Sequence, residues 1–550
     1  MSTSSPRRPV TSLHRAAAPA PIINSRRVQG RLPRALLAAL GVAIISASGC
    51  VVGPNYHRPA VDAPPAWKEQ PPEGWKNAAP RDDISKGNWW EVFGDRQLND
   101  LEIQAVAANQ NLKVAAERVI EARATALATR SNLFPTVDAG PSVDRARTSG
   151  NRPLPPNSSQ AVAFSANTFS LPLQASYQVD LWGQIRRSVE SANALTQASV
   201  ANYENVLLTL KSDVASFYIM LHFIDQERVI LRNNIDLQQK AFDLANLRHA
   251  GGVASGLDVA EAETLLETTQ ADYVGLGVQR AQFEHALAVL LGQPPARVTL
   301  PEKALDLNAP AIPAGMPSDL LERRPDVAAA ERNMAATNAD IGVARAAFFP
   351  NVALTASGGY LSTGILDLFN LPSLAWSVAG SLSQPLYTGG RLSANLLRAQ
   401  ATYDESVASY RQQVLVAFRE VEDGLSGLRV LEEQAAAYEK AIKAAQQTVD
   451  ISTARYKEGL ANYIEVIDAE VTLLNNQRIS DQVLEQRLLT TVQLIEALGG
   501  GWQDSTVYTS NTGVLPATGA NEPPLPPGPA NPPSNPINVP MPNPNAQPPQ

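Results

Sequence analysis

Apolar residues recur at steps of three and four along two very long stretches of the chain. Between residues 181 and 293, where proline is absent, these positions are Tyr203, Val206, Leu207, Leu210, Val214, Phe217, Tyr218, Leu221 and Ile224. This spacing predicts one face of a helix. A single helix over residues 182–250 would be about 100 Å long at ~1.5 Å per residue, far longer than a globular domain requires. A second proline-free stretch, 386–515, predicts a similar helix that begins near residue 390.

Glycine-containing segments interrupt both helical patterns at corresponding points. They are HAGGVASG at residues 249–256 and YKEGLANY at residues 456–463. Glycine adopts the backbone conformations that tight turns need. We therefore expect two antiparallel helical hairpins that turn at Gly252 and Gly256 in the first and at Gly459 in the second.

Shorter helices complete this pattern. Return helices are predicted over residues 257–291 and 464–498, and each ends at a glycine. Two further helices, predicted over 97–133 and 326–349, stop just before Phe-Pro pairs.

After each Phe-Pro pair the apolar period changes from helical to two. In FSLPLQASYQVD, residues 169–180, one face holds Phe169, Leu171, Leu173, Ala175, Tyr177 and Val179. WSVAGSLSQP, which begins at Trp376, alternates in the same way, and residues 136–146 and 351–361 show weaker versions. The pattern predicts four strands of roughly ten residues, each with one apolar and one polar face, as in transmembrane β-barrels.

Four strands are too few to close a membrane barrel. A barrel needs about eight strands, because an unpaired strand edge cannot be left in lipid. The chain must therefore oligomerise, and three copies would supply about twelve strands. The alternative is a pair of soluble β-hairpins at the end of a helical stalk.

The chain also contains an internal repeat. Residues 248–292 align with residues 455–499 at a constant offset of 207 without a gap, and identical pairs include Arg248/Arg455, Gly252/Gly459, Glu263/Glu470 and Gly292/Gly499. The segment ANYIEVIDAE, residues 461–470, thus has a twin in ASGLDVAEAE, residues 254–263. One structural unit is expected twice.

A bacterial export sequence is predicted at the N-terminus. The apolar run at residues 35–49 follows a basic start and is too short to span a bilayer comfortably, which is typical of a signal peptide. Cys50 follows as ASGC, which resembles a lipobox although Ala47 stands where leucine is usual. We expect a covalent lipid on Cys50 and no other cofactor. The alternative is an ordinary signal peptide followed by an incidental cysteine. The residue after this cysteine is Val51 and not aspartate, and in this respect the chain resembles bacterial lipoproteins that are sorted to the outer membrane.

Together these patterns predict a linear order of segments. They are a signal peptide (1–49), a lipidated extended segment (50–96), a first repeat (97–294) with a β-hairpin (136–180) and a helical hairpin (182–291), a linker (295–325), a second repeat (326–502) with a β-hairpin (351–387) and a helical hairpin (390–498), and a disordered proline-rich tail (503–550).

Composition excludes several functional classes. A net charge of −8 and a pI near 5.4, without a basic block after the signal region, argue against a nucleic-acid partner. The single cysteine excludes an internal disulfide framework and cysteine-based zinc sites. The five histidines form no metal-binding pattern, and no phosphate-binding glycine loop occurs. We expect no metal site and no enzymatic activity.

Six motifs stand out between residues 50 and 502: CVVGPNYHRP, WWEVFGDRQLNDL, YQVDLWGQIRR, ERRPDVAAAERNMAATNADIGVARAAFFPNVAL, YTGGR and ALGGGW. Together they resemble the TolC-like outer-membrane efflux proteins, and more narrowly the NodT-like lipoprotein branch that serves resistance-nodulation-division pumps. It implies a mainly α-helical homotrimer with a twelve-stranded barrel in the outer membrane and a helical tunnel in the periplasm. A mixed equatorial girdle is implied around the tunnel, and residues 295–325 and about 82–100 are its candidates. The implied partners are a periplasmic adaptor protein, an inner-membrane transporter of that pump class and outer-membrane lipid.

The resemblance also gives roles to acids at the predicted hairpin tips. Glu465 and Asp468 are adjacent on one helix turn, with no cleft between them such as a glycosidase needs. At the tip of a tapering tunnel they would form a ring of carboxylates that attracts cations. The alternative is a solvated helix face.

The twin acids are Asp258 and Glu261. In the family, the equivalent of Asp258 accepts contacts from a tyrosine, matched here by Tyr456, and from an arginine whose position is Ala461 in this chain. A weaker or different closure of the tip is therefore expected. The hairpin turns are the expected adaptor contacts.

Two other functions fit part of the pattern. A duct for type I protein secretion would use the same fold. A structural periplasmic coiled-coil lipoprotein would explain the helices but not the amphipathic strands.

Overall fold

The computed structural model describes residues 51–60, 64, 66–69, 88–151, 163–304 and 323–500, and all of them fall within one compact unit. The predicted signal peptide, Cys50, the proline-rich tail and most of the 295–325 linker lie outside the described residues.

Helices dominate this part of the chain. They are α1 (Arg96–Ala108), α2 (Gln110–Ser131), α3 (Gln184–Ala250), α4 (Gly256–Leu290), α5 (Pro325–Ala346), α6 (Arg391–Lys457) and α7 (Tyr463–Ala497). The two long helices, α3 and α6, have 67 residues each, and their return helices, α4 and α7, have 35 each. The predicted helical hairpins are thus confirmed to within a few residues. Each long helix is about 100 Å long at ~1.5 Å per residue.

The single helix predicted over residues 97–133 was wrong, because the chain breaks at Asn109. This residue has an extended backbone (φ −60°, ψ 129°), ends α1 and caps α2, and its side-chain oxygen accepts from the Leu112 amide. Its side-chain nitrogen donates to the carbonyl of Leu290 at 2.9 Å. The side chain therefore replaces the helical hydrogen bonds lost at the break.

The four hairpin helices pack in the order α4, α3, α7, α6, and α5 bridges α3 and α6. One apolar core forms where α1 and the short helix Trp89–Phe93 meet α3, with Leu98, Tyr218 and Leu488 fully buried. A second core joins α5, α6 and α7 around Met334, Tyr410 and Leu425. Helices α5 and α7 contact both long helices, and α7 contributes residues to both cores.

The strands form one antiparallel sheet. They are β1 (Thr136–Ala139), β2 (Ser142–Thr148), β3 (Phe164–Val179), β4 (Asn351–Ser362) and β5 (Leu374–Ser383). β1 and β2 both pair with β3, which pairs with β4, and β4 pairs with β5. The predicted strand 136–146 is therefore two strands, separated by the Gly140-Pro141 pair. Proline cannot donate a hydrogen bond to the ladder.

An extended N-terminal segment, residues 51–60, lies against the helices. The Val52 amide donates to the carbonyl of Trp182 at the junction of β3 and α3, and the Tyr56 hydroxyl donates to Glu331 of α5 at 2.6 Å. Between these points Gly53 lies against Gly342: a Cβ built on Gly53 would lie 2.6 Å from the Gly342 Cα. Close backbone approach at this pair fixes the segment.

Among the described residues, α3 alone is long and apolar enough by composition to cross a membrane. Most of its apolar window is buried against other helices, so packing within the protein explains its composition.

Candidate functional site: the helical hairpin tips

The turns of both helical hairpins contain a glycine in the left-handed backbone region. Gly252 has a φ of 72° and Gly459 a φ of 74°, a conformation that favours glycine because other residues have a Cβ. The prediction was wrong for Gly256, which is the first residue of α4. Ser255 caps that helix, its Oγ accepting from the Asp258 amide at 3.2 Å.

Asp258 belongs to the first turn of α4. Its carboxylate accepts from the Ser255 hydroxyl at 2.7 Å, so within the chain it stabilises the cap of its own helix. Glu261, one turn further along α4, is half-buried.

Glu465 and Asp468 lie on the first turns of α7, and both side chains are exposed. The carboxylate of Glu465 lies 3.7 Å from the Arg455 guanidinium, near the end of α6, and both side chains are about half exposed. An ion pair this exposed contributes little stability. The two acids therefore present negative charge to solvent at the tip.

Tyr456 is buried at the point where the two hairpins meet. Its ring centroid lies 5.1 Å from that of Tyr463, and both rings pack with Ala245, Ala262 and Val466. Its hydroxyl has no hydrogen bond partner among the described residues. Burial raises the pKa of Tyr456, nearby Asp258 raises it further, and Arg248 lowers it. Asp258 thus affects Tyr456 through its charge, without the hydrogen bond that the family resemblance implied.

Arg248 is the contact at this site for which the sequence gave no role. Its Nη1 donates to the carbonyls of Tyr456 at 3.0 Å and Lys457 at 3.2 Å, and its guanidinium lies 4.7 Å from the centroid of the Tyr456 ring. The only hint in the sequence was that Arg248 is identical to Arg455 at the matching position of the repeat. Repetition alone could not show that the two arginines make different contacts.

Glu470 lies two turns along α7 from the tip. One carboxylate oxygen, Oε2, is buried and has no hydrogen bond partner among the described residues. Burial raises the pKa of Glu470 to about 7, because a charged carboxylate is costly away from water. Its repeat twin, Glu263, is exposed.

The site therefore brings together Tyr456, Asp258 and Arg248, and it places Glu465 and Asp468 on an exposed surface nearby. In the described part of the chain, no group of three or more histidine, cysteine, aspartate or glutamate side chains is arranged to hold a metal ion. A cluster of exposed carboxylates beside a buried aromatic contact can attract cations and can hold two hairpins together.

Comparison with known proteins identifies relatives over most of the chain. The family model described as "Outer membrane efflux protein" matches residues 103–293 and 316–500. The pyoverdine export outer membrane protein OpmQ of Pseudomonas aeruginosa is 33% identical over 435 residues, which are 78% of this chain and 91% of that protein. The solvent efflux pump outer membrane protein SrpC of Pseudomonas putida is 33% identical over 471 residues, 84% of this chain and 98% of its own length.

Solved structures share the fold. The outer-membrane channel OprN superposes with a TM-score of 0.76 at 30% identity, covering 82% of this chain and all of that channel. The open state of the Neisseria gonorrhoeae MtrE outer membrane channel gives a TM-score of 0.71 at 26% identity, covering 82% of this chain and 99% of its own.

Proposed function

The chain belongs to the outer membrane efflux protein family, and we propose that three copies of it form a passive exit duct gated at the helical hairpin tips. The protein is an outer-membrane component of an efflux pump. The family is a transport family, so this chain provides a path for substrates and leaves the energy-consuming step to a partner.

The open sheet supports assembly from several copies. Its outer strands are β1 with β2 on one side and β5 on the other, and neither side pairs with a further strand among the described residues. Apolar side chains on these strands are exposed in a single chain, including Val143 at 73%, Trp376 at 77% and Val378 at 75%. In lipid such a face is favourable, but the edges must be paired. Neighbouring copies would supply the missing strands.

The helical part supports the same assembly. The order α4, α3, α7, α6 leaves α4 and α6 at opposite ends of the row. Both end helices carry exposed apolar residues: Leu257, Val274, Val278 and Val289 on α4, and Leu397, Leu415, Val430 and Ile451 on α6. A ring of copies that pairs α4 with a neighbouring α6 would bury these residues and enclose a tunnel.

The exposed acids support a gate at the tip. Three copies of Glu465 and Asp468 around one axis would form a ring of carboxylates, which attracts cations and repels anions. Mutual repulsion of these carboxylates would make the closed ring only marginally stable.

The names of the relatives support a proposal for partners and cargo. Their names describe outer membrane proteins of solvent, toluene and antibiotic efflux pumps and of pyoverdine export. We infer that this chain acts with a periplasmic adaptor that contacts the hairpin turns and with an inner-membrane resistance-nodulation-division transporter, and that small solutes are its cargo. A lipid on Cys50 would anchor the duct. Type I protein secretion is the competing cargo class.

Conductance in planar bilayers tests the gate. Purified full-length protein should run as a trimer and form channels that divalent cations block. The double variant Glu465→Ala with Asp468→Ala should reduce this block. A control that removes two exposed acids of α4, Glu263→Ala with Glu267→Ala, should keep it. Unchanged block in the tip variant would refute the carboxylate gate, and a monomer without conductance would refute the duct.

A further inference from the structure

Arg248 ties the first helical hairpin to the main chain of the second. The residue lies in the last turn of α3, and its acceptors, the carbonyls of Tyr456 and Lys457, belong to the last turn of α6. The contact therefore crosses between the two hairpins, and Arg248 lies 208 and 209 residues before its two acceptors in sequence.

The acceptors explain why an arginine suits this position. The last four carbonyls of a helix have no partner within it. At the end of α6, the Gly459 amide donates to Tyr456 and the Leu460 amide donates to Arg455, and Arg248 supplies a donor to Lys457. A positive charge is also favourable at a helix C-terminus. Arg248 therefore caps α6 from the other hairpin.

The same guanidinium covers the aromatic ring beneath it. It lies 4.7 Å from the centroid of the Tyr456 ring, which is itself buried against Tyr463. A cation over an aromatic face is attracted to the ring electrons, and arginine can stack there while it donates hydrogen bonds. Separation of the hairpins would break the carbonyl bonds and the ring contact together.

The repeat does not provide this contact twice. Arg455, the twin of Arg248, approaches Glu465 at 3.7 Å and the Leu460 carbonyl at 3.5 Å, both within the second hairpin. Of these two arginines, only Arg248 therefore connects the hairpins.

We propose that Arg248 is the latch of the closed tip, holding the end of α6 against α3. The latch rests on the proposed function, because it acts on the gate of the duct. Its acceptors are main-chain atoms, so substitution of the side chains at 456 and 457 leaves them in place. Opening requires the two carbonyls to exchange Arg248 for water.

Two substitutions at Arg248 test the latch. Arg248→Ala should raise the resting conductance of the full-length channel several-fold. Arg248→Lys should give an intermediate rise, because lysine keeps the charge near the helix end but loses the planar donors and the stacking. The control Lys443→Ala removes an exposed charge of α6 that pairs with Glu439 of the same helix, and it should leave resting conductance near that of the wild type. Resting conductance equal to the wild type in both Arg248 variants would overturn the latch.

Hydrogen exchange provides a second measurement that needs no conducting channel. The amides of residues 458–460 should exchange faster in both Arg248 variants than in wild type or Lys443→Ala. Equal exchange in all four proteins would overturn the latch. A wild-type protein that forms no channel would count against the proposed duct, and the exchange comparison would still decide whether Arg248 holds the two hairpins together.

Discussion

Glu263 and Glu470 occupy matching positions in the two helical hairpins, yet Glu263 is exposed while Glu470 has a buried oxygen without a hydrogen bond partner among the described residues. The difference arises because α7 packs against both α6 and α3, whereas α4 packs chiefly against α3. One environment leaves the carboxylate in water, and the other makes its charge costly.

This difference predicts a pH effect confined to one twin. Burial raises the pKa of Glu470 from 4.5 to about 7. A group with a raised folded pKa loses its stabilising contribution as pH rises toward that value, so wild-type stability should fall between pH 4.5 and about 7. Glu470→Gln should reduce this fall, and Glu263→Gln should not. Thermal unfolding followed by circular dichroism measures both, and identical pH profiles for the two variants would contradict the prediction.

A second buried acid lies in the core around α1. Glu102 is fully buried, neither carboxylate oxygen has a hydrogen bond partner among the described residues, and burial raises its pKa from 4.5 to about 9 while Lys211 lowers it. Glu102→Gln should raise the unfolding temperature, with a gain that grows between pH 4.5 and about 9 as the wild-type carboxyl loses its proton. The exposed Glu117→Gln is the control. A gain independent of pH would show that titration of Glu102 is not the cause.

The ring of Tyr456, rather than its hydroxyl, should hold the tip. The hydroxyl makes no hydrogen bond to the described residues, whereas the ring packs against Tyr463 and Arg248. Tyr456→Phe should leave the resting conductance unchanged. Tyr456→Ala should raise it, since truncating a buried aromatic residue costs about 3–5 kcal/mol. Higher conductance in Tyr456→Phe would contradict this prediction, and it would mean that the hydroxyl makes a hydrogen bond in the assembled channel.

Gly53 should be required for attachment of the N-terminal segment. It has a φ of 111°, and a Cβ there would lie 2.6 Å from the Gly342 Cα. Gly53→Ala should expose residues 51–60 to limited proteolysis. Gly94→Ala is the matched control, because Gly94 has a φ of 68° but open space around a Cβ. Equal cleavage of both variants would mean that backbone strain, and not the contact with Gly342, governs attachment.

Residue patterns predicted the elements of this fold well where they were long and periodic. The proline-free apolar seams located α3 and α6, and the alternation around Leu173 and Trp376 located β3 and β5. Errors occurred where a single side chain or peptide unit determines the end of a helix or strand. These positions are Asn109, Gly256 and the Gly140-Pro141 pair. Periodicity averages over many residues and cannot detect such breaks.

The candidate site was predicted less completely. The sequence placed Glu465, Asp468 and Tyr456 near the tip. The family resemblance implied a contact from Tyr456 to Asp258, and within the described residues the carboxylate of Asp258 accepts a hydrogen bond from Ser255. The sequence assigned Arg248 no role, because every residue has a main-chain carbonyl and residue types do not show which carbonyls an arginine will contact.

The sequence by itself determined which segments become helices and strands, where the hairpins turn and which family the motifs resemble, since these depend on local spacing and residue type. Only the tertiary structure decided that Arg248 caps α6 while Arg455 stays within its own hairpin, and that Glu470 is buried while Glu263 is not. Identical residues in a repeat acquire different contacts because α3 and α7 pack against each other, whereas α4 and α6 lie at the ends of the row.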